Sequence, residues 1–148
     1  MLPEIKSLIE THVALSSKDG LFFSLFDKDN NLLASQGTIT TDKTLESLVD
    51  LFYQGIISKF EKQTKTVVLD LVDSIQTVVD IQAFLSFSPV ENGVILTSTT
   101  DKKTGILLPN TAGITTMQDA LSAIKAKDSL SGNVEISTFK TTRLVLLV

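Results

Sequence analysis

Two connections in this chain are too short to hold a crossover helix, and this limits its architecture more than any other feature. The apolar run Leu21–Phe26 and the run Leu32–Gly37 are separated only by Asp27-Lys28-Asp29-Asn30-Asn31, a stretch of turn-forming residues. Val94–Thr99 and Gly105–Leu108 are joined in the same way by Asp101-Lys102-Lys103-Thr104. Parallel strands need a connection of a dozen or more residues, so each pair reads as an antiparallel hairpin. A doubly wound α/β fold is disfavoured.

Between and around the hairpins the apolar spacing changes to three and four residues. Ile5, Leu8, Ile9, His12 and Val13 line one face of a helix predicted over residues 3–16, with Pro3 in its first turn. Leu45, Leu48, Val49, Phe52, Ile56 and Phe60 mark a second helix over residues 42–62, capped by Thr41 or Asp42. Gly55 inside it signals close packing or an early end. Thr116-Met117-Gln118-Asp119 has the spacing of a capping box with Asp in place of Glu, and starts a third helix. Ala120, Leu121, Ile124 and Ala126 give that helix little bulk, which suits packing over a sheet.

The β-branched stretch Lys65–Val72 is a strand, and Val134–Val148 a final one, broken near Thr141. The uncharged end of that strand, Leu144–Val148, would invite self-association at an exposed edge, so burial within the sheet is expected. Residues 75–87 fit a strand and a helix equally well. The chain reads as one α+β domain over residues 1–148, a mainly antiparallel sheet with three helices packed against it.

The 148 residues include no cysteine, no tryptophan and one histidine. Thiolate catalysis, disulfides and zinc sites built from several Cys or His ligands are excluded. Lys plus Arg number 13 against 17 Asp plus Glu, a net charge of −4 that repels nucleic acid and anionic membranes. Lys59, Lys62 and Lys65, and Lys102 with Lys103, read as solvated cations at a helix end and a turn. No apolar run is long enough for a membrane-spanning helix. The N-terminus lacks the pattern of a secretory signal, so a cytoplasmic location is expected.

Candidate chemistry is sparse. His12 falls on the apolar stripe of the first helix, where a partly buried, hydrogen-bonded imidazole is the ordinary outcome. Asp27, Asp29 and Asn31 open like a calcium loop, but Leu32 and Thr38 stand where its glycine and bidentate carboxylate belong. Asp70 and Asp73 flank a strand end, and alternation puts Asp70 on the solvent face. There is no glycine-rich phosphate loop, and no cofactor is expected.

Two stretches together resemble the AMMECR family, whose prokaryotic members are called AmmeMemoRadiSam system protein A. That family has a strand, a turn, L-R-G-C-I-G-T and a helix. Here Leu21–Asp27, Leu32-Leu33-Ala34-Ser35-Gln36-Gly37-Thr38 and the following helix run in the same order. Gly93-Val94-Ile95-Leu96, Gly105-Ile106-Leu107-Leu108-Pro109-Asn110-Thr111-Ala112 and Ile136–Phe139 look like the family's later hairpin, its G-x-L-L-P-Q-x-A pattern and its closing strand. Leu33, Ala34, Ser35 and Gln36 replace the arginine, first glycine, cysteine and isoleucine of the heptapeptide, leaving Gly37-Thr38.

The resemblance implies an AMMECR-like fold. With the degraded heptapeptide, it leads to a non-catalytic module binding a protein partner or a small ligand in a groove between the two hairpin regions. Ser35, Gln36, Gly37, Thr38 and Asn110 are the expected lining, since short polar side chains beside glycine expose backbone amides. Gly37 ending a strand and Asn110 making a turn are the ordinary alternatives. The rival expectation is an accessory enzyme of an AmmeMemoRadiSam-type modification system, with a Memo-like protein or radical SAM enzyme as partner and Ser35 in place of the cysteine.

Overall fold

In the computed structural model, residues 1–130 and 132–148 are described. The order is α1 (Leu2–Glu10), β1 (Leu21–Phe26), β2 (Leu32–Thr38), α2 (Leu45–Phe52), a π-helical turn (Tyr53–Ile57), α3 (Ser58–Phe60), β3 (Thr66–Thr77), α4 (Ile81–Leu85), β4 (Gly93–Ser98), β5 (Thr104–Leu107), α5 (Met117–Asp128) and β6 (Val134–Leu147). The strands form one six-stranded antiparallel sheet in the order β2-β1-β3-β6-β4-β5. Both expected hairpins are present, β1–β2 and β4–β5, and the fold is α+β. The C-terminal run lies in β6 beyond the stretch paired with β4, and its expected burial is met on one face only: Leu144 and Leu146 pack on the core while Val145, Leu147 and Val148 are exposed.

The chain divides into two compact units, Met1–Val72 with Thr142–Val148, and Asp73–Thr141. The long strands β3 and β6 each contribute to both.

In the first unit, alternation along β1 buries Leu21, Phe23 and Leu25. They stand opposite Leu71, Leu69 and Val67 of β3, so three apolar pairs share one face. Ile5 and Ile9 of α1 and Leu45, Leu48 and Val49 of α2 complete this core, and Phe52 tilts against Phe23 with ring centroids 5.2 Å apart.

Both helices of this unit are shorter than their apolar spacing predicts. α1 ends at Glu10 because the Thr11 hydroxyl donates back to the Leu8 carbonyl at 2.6 Å and the chain turns. α2 starts at Leu45, where the Thr44 hydroxyl accepts from Ser47 N; Thr41 is engaged earlier, accepting from Lys43 N. Gly55 neither packs closely nor ends the helix. It lies in the π-helical turn, where an added Cβ would meet nothing within 4 Å. The extra residue of that turn moves the buried position from Ile56 to Ile57.

In the second unit, Phe84 of α4, Val94 and Leu96 of β4, and Met117, Ala120 and Ile124 of α5 form the core with Leu130. The third predicted helix is α5, with Thr116 as its cap and Ala126 exposed. α4, capped by the Asp80 carboxylate on Gln82 N and Ala83 N, was not among the three expected. Residues 75–87 therefore hold both readings in turn, strand to Thr77 and then a short helix.

At the start of α5, Asp119 N donates to Thr116 Oγ1 at 3.1 Å, and the Thr115 hydroxyl donates to Asp119 Oδ2 at 3.0 Å. Side-chain hydrogen bonding from Thr115, and then from Thr116, holds the Asp119 carboxyl below its usual range. A carboxyl whose pKa falls on folding stabilises above its unfolded pKa and loses that contribution as pH drops through the folded one. Thr116→Ala should cost about 1 kcal/mol, read as a lower urea midpoint at unchanged m-value. Asp119→Asn should flatten the acid side of the stability–pH curve.

Candidate functional site

The predicted site residues fall in both units. Ser35, Gln36, Gly37 and Thr38 lie on β2, at one end of the sheet, paired with Ser24, Phe23, Phe22 and Leu21 of β1. Ser35 and Gln36 are exposed. Among the described residues no base is hydrogen-bonded to the Ser35 hydroxyl. Gly37 has a packing duty: an added Cβ would overlap the Phe22 ring and stand 2.6 Å from the Leu21 carbonyl oxygen. Asn110 belongs to the second unit, exposed in a left-handed turn (φ 58°) with its N–H on the Pro89 carbonyl.

Of three other candidates, His12 and Asp70 take places different from those expected, while Asp27 serves its hairpin turn as expected. His12 is exposed in the turn after α1 and not on a buried helical stripe, because the helix stops two residues before it. The Asp27 carboxylate is occupied by its own turn: Oδ1 accepts from Asp29 N and Asn31 N, and Oδ2 from Asn31 Nδ2. Asp70 is buried, at 2% exposure, and not solvated. Arg143 of β6 forks onto it, Nε to Oδ1 at 2.9 Å and Nη2 to Oδ2 at 3.2 Å. Alternation was sound, but Phe22 stands opposite Asp70 on β1 and Arg143 lies on its other flank. Hydrogen bonding to this carboxylate raises the already high pKa of the guanidinium.

The most conspicuous surface lies in the second unit. Ile75, Val79, Ile81, Leu85, Phe87 and Val90 are exposed, six of the eleven large hydrophobics so placed among the described residues. They occupy a sixteen-residue segment. Val79 is 97% exposed, and with Phe87, Ala83, Asp80 and Thr138 it lines a groove of about 150 Å³. The groove is braced beneath: Phe87 meets the buried Phe84 ring edge-on at 6.3 Å, and Val78 N donates to the Ile136 carbonyl at 2.9 Å.

Ile81 and Leu85, one turn apart on α4, face out together. No lysine or arginine occurs between Lys65 and Lys102, while Asp80 lies exposed within the apolar stretch and Glu91 directly after it. The sequence signal was present as an apolar stretch that fits both periods, combined with that gap in cations. Among the described residues no cluster of three acidic, His or Cys side chains could hold a metal, and no helix is long and apolar enough to cross a membrane.

No protein-family model matches the chain, and no curated protein matches it. Among solved structures, the crystal structure of uncharacterized protein PH0010 from Pyrococcus horikoshii is similar, with a TM-score of 0.73 over 97% of this chain and 86% of that one. Identity is 14%, so the likeness establishes the α+β fold alone.

The pair Asp70–Arg143 makes a prediction. Arg143→Met leaves a buried carboxylate unpaired and should cost about 2–3 kcal/mol, less than for a fully enclosed pair because Arg143 is 43% exposed. Adding Asp70→Asn should restore part of the loss, measured as the coupling in a double-mutant unfolding cycle.

Proposed function

We propose that this chain is a diverged, cytoplasmic AMMECR-like module without catalytic activity, whose task is to bind a protein partner. The family reading rests on the sequence pattern of the two hairpins. The binding reading rests on the exposed apolar segment Ile75–Val90, the kind of surface that marks partner sites.

The occupant is a basic segment with apolar anchors. Its side chains would lie on Val79, Ile81 and Leu85, and its cations would meet Asp80 and Glu91 where this segment offers no positive charge of its own. Complementary charge of this kind sets specificity and encounter rate, and apolar burial supplies the affinity. The same charge pattern disfavours an anionic membrane as occupant. Memo-like and radical SAM proteins are the partner classes that the resemblance implies.

A fluorescent peptide of alternating leucine and lysine helical faces, titrated with the full chain, tests the reading by polarisation. Binding should weaken about tenfold or more in the Val79→Ser, Leu85→Ser double variant, since each anchor contact removed is of order 1 kcal/mol or greater. Ser35→Ala should bind as the parent does. Equal binding by the double variant, or equal binding of a glutamate-for-lysine peptide, would overturn the proposal.

A further inference from the structure

The first unit holds a second concave surface, unrelated to the apolar segment, with the opposite electrostatic character. Its volume is about 410 Å³, within the range of small-ligand sites, and Asp27, Lys28, Asp29, Leu33, Lys62, Gln63 and Lys65 line it. Two turns form its walls, and both are held in place.

The β1–β2 turn is fixed by the Asp27 carboxylate through three hydrogen bonds of 2.8, 2.9 and 3.2 Å. The turn after α3 is fixed by Thr64, fully buried, whose hydroxyl and N–H both donate to the Phe60 carbonyl at 2.8 and 2.9 Å. Lys65 N donates to the Phe26 carbonyl at 2.8 Å, which ties the second turn to the end of β1. Positions 28, 62 and 65 are thus held by backbone that has little freedom to relax.

Charge is unbalanced in this groove. Lys6, by contrast, reaches Asp50 at 2.9 Å and Glu46 at 3.5 Å. Lys28, Lys62 and Lys65 make no ion pair among the described residues. Two carboxylates, Asp27 and Asp29, stand against three ammonium groups, which leaves one positive charge in excess, and Lys28 also acts on Asp27 through its charge. In a protein of net charge −4 this is a local reversal of sign. Leu33, half-buried, adds an apolar contact.

We infer that this groove binds a small organic phosphate, its dianion held by Lys28, Lys62 and Lys65 and its carbon skeleton resting on Leu33. Lysine serves phosphate as a mobile point charge, and three such charges suit a dianion better than a single carboxylate. The opposing net charge of the protein argues for a small ligand over a long polyanion, whose remaining phosphates would meet a negative surface. This inference is independent of the protein-binding reading and survives its failure.

The test uses phenyl phosphate, followed by amide chemical-shift changes in the full-length protein. Saturable changes should centre on residues 28, 33 and 62–65, and phenol at equal concentration should produce none. Lys62→Gln with Lys65→Gln should weaken binding about five- to tenfold, as two exposed charge contacts allow, while Lys102→Gln with Lys103→Gln should leave it unchanged. If the first double variant unfolds, Lys28→Gln serves in its place, with about a threefold loss expected. Raising the ionic strength from 0.01 M to 1 M, which shortens the Debye length about tenfold, should weaken binding. Absence of saturation, equal affinity in the lysine variants, or tighter binding of a twelve-nucleotide single strand than of phenyl phosphate would each overturn it.

Discussion

A slip of one residue between β1 and β3 would turn Leu21, Phe23 and Leu25 out to water and draw Phe22, Ser24 and Phe26 into the core. The observed register opposes Leu21 with Leu71, Phe23 with Leu69 and Leu25 with Val67, and every one of these six is at least 98% buried. Each side chain of this size contributes about 1.5–3 kcal/mol on burial, so the wrong register would forfeit much of the unit's stability. α1 and α2 dock onto the face that this register creates. On the other face it sets Phe22 opposite both Gly37 and Asp70. The edge strand, the buried acid and the helices all take their positions from one alignment.

The same device recurs in each unit. Phe22 lies over Gly37 across β1–β2, and Phe139 lies over Gly93 across β4–β6; an added Cβ at either glycine would overlap the ring. A phenylalanine that shields a cross-strand glycine pins register and protects backbone that no side chain covers. This gives Gly37 a structural reason to resist substitution that is separate from any ligand. A binding motif and a packing motif can use the same residue, and at Gly37 the packing use is the one the geometry displays.

The two surfaces singled out for binding differ in how they could be seen beforehand. The three lysines are scattered over 38 positions, and only the pinning of two turns brings them to one groove. The apolar segment 75–90 is continuous in sequence, yet its fit to both periods left it undecided between strand and helix. It is both, and neither element finds a partner for Ile75, Val79, Ile81 or Leu85. Periodicity reports a face that packs, and it is silent about apolar residues that do not. Asp70 shows the complementary limit: alternation names the face a strand residue lies on, while Arg143, 73 residues away, determines that it is buried and paired there.

By itself the sequence determined the hairpins, the antiparallel pairing they impose, the helix cap at Thr116 and the absence of thiol chemistry. These are local properties, set by turn length, side-chain period and residue type. The end of α1, the register shift at Ile57, the pairing of Asp70 and the gathering of Lys28 with Lys62 and Lys65 were decided by tertiary structure. Each depends on which distant group arrives beside it, and no spacing along the chain encodes that distance.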